Sequence, residues 1–298
     1  MRYYYGIIFK GERIMKIKKW LSVAAIATVA GLTLAACGNS DKNADNTTTV
    51  KIATVNRSGS EEARWDKVQE LVEKDGIKLE FTEFTDYSQP NKATADGEVD
   101  LNAFQHYNFL NNWNKENGKD LVAIAETYIS PIRLYSGKNG DENKYTKVEE
   151  IPDNGEIAVP NDATNESRAL YLLQSAGLIK LDVSGTELAT IANIKENPKN
   201  LKITELDATQ TARSLTSVDA AVVNNTFVTE AKLDYKKALF TEQADENSKQ
   251  WYNIIVAKSD WESSPKADAI KKIIAAYHTD EVKKVIEETS DGLDQPVW

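Results

Sequence analysis

Short apolar runs alternate with segments of helical periodicity along most of the chain. Residues 50–55 form an apolar run and residues 77–81 alternate apolar with polar side chains, so both segments are predicted strands. Between them, four apolar residues recur at helical spacing on one face: Trp65, Val68, Leu71 and Val72. The order strand, helix, strand predicts a parallel pair joined by a right-handed crossover.

A similar order recurs in the second half of the chain. Residues 157–159 are a short buried strand that Pro160 ends, and a helix with a leucine-rich face follows. In both halves a Val-Asp pair leads into a strand with a polar tip, at residues 99–106 and at residues 218–225. A plan repeated in two lobes is expected of a binding protein whose facing strand ends enclose a ligand.

Aromatic and polar residues follow the predicted strands of the first half. The strand around residues 79–81 ends at Tyr87, and a second strand runs through Phe104 into His106. These three side chains are expected at the ends of neighbouring strands, where open α/β sheets bind ligands. On periodicity alone, core aromatics beside a capped turn are an equally good interpretation.

Residues 161–168 open the helix of the second half and carry candidate binding groups. Asp162 or Thr164 can cap this helix, whose N-terminus offers free backbone N–H groups and a partial positive charge. Arg168 adds a guanidinium in the same turn, so the segment can receive a carboxylate. The alternative from the residues alone is that Arg168 pairs with a neighbouring acid, such as Glu166 or Asp162.

The N-terminal residues have the pattern of a secretory signal. A basic region at residues 16–19 precedes an apolar run at residues 20–34, which is too short and too abruptly ended for a transmembrane helix. Met15 offers a more compact start than the first residue. Residues 34–37 read Leu-Ala-Ala-Cys, which is typical of a bacterial lipobox and contains the only cysteine of the chain, Cys37.

Composition and charge narrow the class of protein. Of the 298 residues, 41% are hydrophobic and 28% are charged, which suits a soluble protein with a sizeable core and one large or two ordinary domains. The formal net charge is −10, and about −15 without residues 1–36, which carry six basic and one acidic side chain. Such a balance argues against a nucleic-acid partner, since nucleic acids are bound by basic patches.

No catalytic motif is present in the sequence, and we therefore predict a protein that is not an enzyme and uses no cofactor. The chain has no G-x-S-x-G elbow, no H-E-x-x-H and no phosphate loop, and its two histidines are far apart. A metal-binding lipoprotein is a more serious alternative, but zinc and manganese sites usually combine several histidines with carboxylates. Only His106 lies in the predicted cleft, so no metal site is expected. A surface adhesin is the third alternative.

Two motifs in the first half carry a resemblance to a known family. Residues 84–91 read Phe-Thr-Asp-Tyr-Ser-Gln-Pro-Asn, and residues 97–106 read Gly-Glu-Val-Asp-Leu-Asn-Ala-Phe-Gln-His. They resemble the substrate-binding lipoproteins of methionine-type ABC importers, the MetQ/NlpA family, and a looser similarity covers nearly the whole mature chain. The resemblance implies an α/β, two-lobed periplasmic-binding-protein-like (type II) fold with two chain crossings between the lobes.

The resemblance also implies how the chain is divided. We expect a signal peptide at 1–36, a lipidated flexible tether at 37–49, a first lobe from 50–135 plus 251–298, and a second lobe from 136–250. The two crossings are expected near Tyr135 and in a strand at residues 251–257. Cleavage before Cys37 and attachment of a diacylglyceryl group to its sulfur would anchor the chain on the extracytoplasmic face of the cell membrane, since two acyl chains suffice for stable residence.

The family pattern assigns ligand contacts to seven residues. Tyr87 and Phe104 would wall an apolar slot for a thioether, to which aromatic edges bind favourably. Four polar side chains would hold the carboxylate and amine of an amino acid: His106, Asn165, Arg168 and Asn224. Asn225 is the alternative to Asn224, because the doubled asparagine leaves the register open.

The ligand implied by the resemblance is methionine or a close relative. L-methionine, D-methionine, a methionine-containing dipeptide and another apolar amino acid are all compatible with the motifs. The chain would deliver this ligand to an ABC permease whose ATPase is a separate subunit.

Overall fold

The computed structural model describes residues 47–57 and 59–298, in which strands and helices alternate. The predicted signal peptide, Cys37 and the tether up to residue 46 lie outside the described residues. The α-helices of the described part are α1 Ser60–Glu73, α2 Pro90–Asp96, α3 Tyr107–Asn117, α4 Ala163–Ser175, α5 Ala208–Ser214, α6 Asn225–Glu230, α7 Ala267–Tyr277 and α8 Asp280–Thr289. Its strands are β1 Thr48–Val55, β2 Ile77–Phe84, β3 Leu101–His106, β4 Val122–Glu126, β5 Tyr128–Ile129, β6 Arg133–Ser136, β7 Lys138–Asn139, β8 Glu142–Asn143, β9 Glu156–Pro160, β10 Lys180–Leu181, β11 Ile194–Glu196, β12 Lys202–Leu206, β13 Ala220–Val223, β14 Phe240–Thr241, β15 Asn253–Ala257 and β16 Gln295–Pro296.

The first large sheet has the strand order β2-β1-β3-β15-β4. Strand β1 runs parallel to β2, from Thr48 opposite Ile77 to Val55 opposite Phe84, and also parallel to β3. Strand β15 comes from the C-terminal part of the chain and is antiparallel to both of its neighbours. The predicted parallel pair formed by residues 50–55 and 77–81 is therefore confirmed.

The second large sheet repeats this plan with the order β12-β9-β13-β6-β14. Strand β9 runs parallel to β12 and to β13, while β6 is antiparallel to β13 and β14. In each sheet, three neighbouring strands thus run parallel, and the last two strands are joined through antiparallel pairings. We call the first sheet with its helices the first lobe and the second sheet with its helices the second lobe.

The chain passes between the two sheets twice, once between β4 and β6 and once between β14 and β15. We expected the first crossing near Tyr135, but this residue lies within β6 and pairs with Ala221 of the second sheet. The crossing is therefore earlier, between Glu126 and Arg133. Residues 128–136 look like one apolar run in sequence, whereas in the structure Ser130 and the following proline separate β5 from β6.

Each sheet is covered by its own apolar core. In the first lobe, Trp65 of α1 meets Tyr277 of α7 edge-on, with ring centroids 5.2 Å apart, and both residues are buried. In the second lobe, Leu170 and Leu173 of α4 pack against Ile157 of β9, which confirms the leucine-rich face predicted for this helix. Within the described part of the chain, no helix is both long and apolar enough to cross a membrane.

Candidate functional site

A cavity of about 320 Å³ lies where the strand ends of the two lobes face each other. Its lining includes all seven side chains that the sequence singled out: Tyr87, Phe104, His106, Asn165, Arg168, Asn224 and Asn225. They come from three strand ends, namely β2, β3 and β13, and from the helix that follows β9. The structure therefore brings the predicted site residues together.

A buried network of amides fixes the end of β3, which carries two of these residues. Asn91 of α2 and Gln105 of β3 hydrogen-bond through their side chains, and Asn102 donates to Asn91 Oδ1 at 3.1 Å and to Thr94 Oγ1 at 2.7 Å. Asn91 and Asn102 are fully buried. Because buried amides are stable only when their partners are in place, this network determines where Phe104 and the residues beside it point.

His106 lies at the N-cap of α3, and its hydrogen bonds fix its protonation. The backbone N–H of Phe109 donates to Nδ1 at 3.0 Å, so Nδ1 must carry the lone pair and Nε2 the proton. Nε2 lies 3.4 Å from Asn165 Oδ1. Burial disfavours the charged ring and the nearby Arg168 repels it, which together lower the pKa of His106 to about 3. His106 is therefore a neutral N–H donor at the cavity wall.

Asn165 joins the two lobes at the start of α4. Its backbone N–H donates to Asp162, which caps the helix as predicted, and its Nδ2 donates to both carboxylate oxygens of Asp162 at 3.1 and 3.0 Å. Its Oδ1 accepts a hydrogen bond of 2.8 Å from Asn224 Nδ2. The four-residue segment from Asp162 to Asn165 thus holds Asn224 in a single orientation.

Asn224 keeps one acceptor free of protein partners. Its Oδ1 is buried and has no hydrogen-bond partner among the described residues, although the side chain is only 9% exposed. Leaving a buried carbonyl oxygen without a partner is costly, so this atom is a strong candidate for contact with a ligand donor. By contrast, Asn225 accepts from Arg133 Nη1 at 3.0 Å and donates to Leu293 O at 3.3 Å, so both ends of its amide are used.

Arg168 is 4% exposed and is held by both chain crossings. Its Nε and Nη2 donate to the two carboxylate oxygens of Glu242, at 2.8 and 2.5 Å, and Nη2 also donates to Ser130 O at 3.0 Å. Its Cζ lies 4.9 Å from the ring centroid of Trp251. No described residue hydrogen-bonds to Nη1, and the Arg168 side chain lines the cavity. The neighbouring acids considered from sequence, Glu166 and Asp162, are not its partners.

Three aromatic rings of the first lobe, those of Tyr87, Phe104 and Phe109, line the cavity as an apolar wall beside these polar groups. The ring centroid of Tyr87 lies 5.9 Å from that of Phe104 and 5.3 Å from that of Phe227, which belongs to the second lobe. Phe109 completes the wall, 5.7 Å from Phe104, and lines the cavity. Phe109 is not among the residues that the sequence analysis singled out, because helical spacing alone does not distinguish a side chain of the core from one that lines a cavity.

The cavity lining also contains a charged group that sequence reasoning missed. Arg64 of α1 is 1% exposed and forms a short salt bridge with Asp294, whose other oxygen accepts from Ser130 Oγ. Arg64 Nη1 is buried without a hydrogen-bond partner among the described residues. Glu61, one turn earlier, lines the cavity, and burial raises its pKa to about 7. An arginine beside Trp65 on an apolar helix face was the available signal.

Comparison with known proteins gives a consistent result. The model of the NlpA lipoprotein family matches residues 50–298. The D-methionine-binding lipoprotein MetQ of Salmonella typhi is 36% identical over 287 residues, which covers 95% of this chain and 99% of the relative.

Solved structures agree with this match. The substrate-binding protein of a methionine transporter from Streptococcus pneumoniae is 91% identical, with a TM-score of 0.82, covering 84% of this chain and 96% of the other. A nutrient-binding protein from Burkholderia cenocepacia bound to methionine is 38% identical, with a TM-score of 0.75, covering 84% of this chain and all of the other. These neighbours confirm the predicted binding-protein fold.

Proposed function

The chain belongs to the NlpA lipoprotein family, and on this premise we propose that it is an extracytoplasmic substrate-binding lipoprotein of an ABC importer that captures methionine or a closely related amino acid. Similar chains are named as methionine-binding proteins and as the binding protein of a methionine transporter. Such a protein performs no chemical step, so its residues are assigned to binding and not to catalysis.

The observation that carries the proposal is a set of polar atoms at one end of an aromatic cavity, of which two lack a hydrogen-bond partner among the described residues and the third, His106 Nε2, has only a 3.4 Å contact with Asn165 Oδ1. Asn224 Oδ1 is a buried acceptor, His106 Nε2 is a neutral donor and Arg168 Nη1 is a donor with no protein partner among the described residues. An amino acid offers the complement, since its ammonium donates and its carboxylate accepts. We therefore assign the ammonium to Asn224 and the carboxylate to Arg168 and His106, with Asn165 orienting Asn224.

The same reasoning decides between the two adjacent asparagines. The amide of Asn225 is used by Arg133 and by Leu293 O, whereas Asn224 retains its oxygen. We assign the ligand contact to Asn224 and a structural role to Asn225, which ties the start of α6 to the C-terminal segment. Asn225 lines the cavity because it is the neighbour of Asn224 in the chain.

The aromatic wall suits the side chain of methionine. A thioether binds favourably near aromatic rings, and the rings of Tyr87, Phe104 and Phe109 lie within 6.2 Å of one another. Phe227 of the second lobe packs against Tyr87, with ring centroids 5.3 Å apart, and does not itself line the cavity. A ligand held between the rings of the first lobe and the polar side chains of the second lobe would stabilise the closed arrangement of the two lobes.

Membrane attachment and partners complete the proposal. We propose that Cys37 carries a diacylglyceryl anchor on the extracytoplasmic side of the cell membrane and that residues 38–47 act as a tether, two residues shorter than expected because strand β1 begins at Thr48. The receiving partner would be a permease with a separate ATPase subunit. The family description as lipoproteins supports the anchor, and the similar substrate-binding protein of a methionine transporter supports a transporter partner.

Isothermal titration calorimetry with an amino-acid panel tests the proposed function. The protein without its signal peptide and tether should bind L-methionine or D-methionine more tightly than leucine, and both more tightly than alanine, because the aromatic wall needs a side chain that reaches it. A panel in which no amino acid or methionine-containing dipeptide releases binding heat, while the protein is folded by circular dichroism, would refute the proposal.

A further inference from the structure

The buried bases of the cavity wall each have a carboxylate of their own. Arg64 pairs with Asp294, and Arg168 pairs with Glu242, whose side chain is 16% exposed. His106 is held neutral by its surroundings. The cavity wall therefore offers hydrogen-bond donors without an uncompensated buried positive charge.

Acids and bases balance along the whole cavity. The charged lining residues are Glu61, Asp291, Asp294, Arg64, Arg168 and Lys232. Three are acids and three are bases, and among the bases Lys232 is exposed to solvent. Glu242 does not line this cavity. It lies on the other side of Arg168 and lines a second cavity of about 220 Å³ that Arg168 also lines.

Glu242 is placed to act on Arg168 without touching the ligand. It takes two hydrogen bonds from the guanidinium, and its Oε2 also accepts from the backbone N–H of Ile132 at 3.2 Å. Its own backbone N–H donates to Ile132 O at 3.0 Å. The carboxylate is therefore fixed, and Ser130 O and the ring of Trp251 hold Arg168 independently of it.

Resting on the function proposed above, we propose that Glu242 is a specificity-determining residue that makes the cavity select ligands of zero net charge. Glu242 is the counter-ion of Arg168 within the protein. The carboxylate of a ligand must therefore share the Arg168 guanidinium with the carboxylate of Glu242. A zwitterionic amino acid offsets this crowding with its own ammonium, which Asn224 receives. An anion that lacks the amine has no such compensation, so it binds less tightly.

Replacing Glu242 should therefore change which charge the cavity prefers. In Glu242→Gln, Arg168 keeps Ser130 O and Trp251 as neighbours but becomes a buried cation without a counter-ion. We expect the affinity for 4-(methylthio)butanoate, the analogue of methionine without the amine, to rise relative to that for methionine by about tenfold or more. The quantity to compare is the ratio of the two dissociation constants.

Calorimetry on three proteins measures this ratio. Wild type, Glu242→Gln and the matched control Glu246→Gln are titrated with methionine and with 4-(methylthio)butanoate. Glu246 is exposed and lies in the same segment, so its replacement removes the same charge without touching Arg168. The control should keep the wild-type ratio. An unchanged ratio in Glu242→Gln overturns the inference, and so does an equal shift in both variants.

A second comparison covers the case in which Glu242→Gln does not fold, since this variant also loses the hydrogen bond from Ile132. In Arg168→Gln the uncompensated charge is that of Glu242, which repels the anionic analogue. The double variant Arg168→Gln/Glu242→Gln should bind that analogue more tightly than Arg168→Gln does, and equal affinities would overturn the inference. Failure of wild type to bind methionine refutes the proposed function instead, and the inference with it.

Discussion

Replacing Asn224 by alanine should weaken methionine binding while leaving the fold of the free protein nearly as stable as before. In the free protein, Asn224 makes one hydrogen bond, 2.8 Å from Nδ2 to Asn165 Oδ1, and its Oδ1 has no partner among the described residues. Truncation therefore removes one favourable bond and one unfavourable buried oxygen. These two changes oppose each other, so we expect a free-energy change of unfolding below about 1 kcal/mol.

The effect on binding should be larger, because the ligand supplies the missing partner. A hydrogen bond from an ammonium to a buried carbonyl oxygen contributes about 1.5–3 kcal/mol, so Asn224→Ala should weaken methionine binding by roughly tenfold to hundredfold. The loss should nearly vanish for 4-(methylthio)butanoate, which has no amine. The adjacent Asn225→Ala serves as the matched control, since it should lower stability more than affinity.

Calorimetry with both ligands, together with chemical unfolding of the free proteins, measures each of these quantities. Ligand-induced stabilisation should fall in parallel with affinity at a fixed ligand concentration. An Asn224→Ala protein that binds methionine within about twofold of wild type would refute the reasoning, as would an equal loss for the ligand without the amine.

Three further outcomes are expected. The ring centroid of Trp251 lies 5.1 Å from that of His106 and 4.9 Å from Arg168 Cζ. Trp251→Phe should therefore abolish most of the ligand-induced change in intrinsic fluorescence, whereas the control Trp261→Phe should retain it. Equal changes in both variants would contradict this. Folding lowers the pKa of His106 from 6.5 to about 3, so as the pH drops the unfolded chain binds this proton before the folded chain does. The free energy of unfolding should therefore decline between these pH values by up to about 1.4 kcal/mol per pH unit. His106→Gln should show a shallower decline in urea unfolding between pH 4 and pH 7, and an identical slope would argue against the assignment. Cys37→Ala should be unlipidated and found in the medium or as precursor, and a variant retained in the membrane fraction as fully as wild type would exclude this anchor.

Periodicity was sufficient for strands β1 and β2, and the family resemblance named the seven side chains that the structure places around one cavity. The alternation in β2 and the apolar run of β1 predict a parallel pair, and polar residues at parallel strand ends predict a shared edge. The segment before Arg168 looked like a helix start with a capping acid, and Asp162 caps α4. These features are local, so a single sequence contains them.

The partners of the site residues were not predictable in the same way. Glu242 lies 74 residues after Arg168, and Asp294 lies 230 residues after Arg64. Such pairings depend on how the second crossing and the C-terminal segment return to the cavity, and no local pattern marks them. The predicted position of the first crossing was wrong for a related reason, because an apolar run does not show which of two sheets it joins.

The insertion of β15 between β3 and β4 has a consequence for the order in which the protein is assembled. All strands of the second large sheet lie between Arg133 and Thr241, so that sheet can form as soon as this stretch has been synthesised. The first sheet has to wait for residues 253–257, which separate β3 from β4. Pairing over such a long sequence separation is slow, and until it occurs β3 and β4 expose open edges. The first lobe is therefore the last to complete its sheet, and a chaperone or a protease added during folding should act on it first.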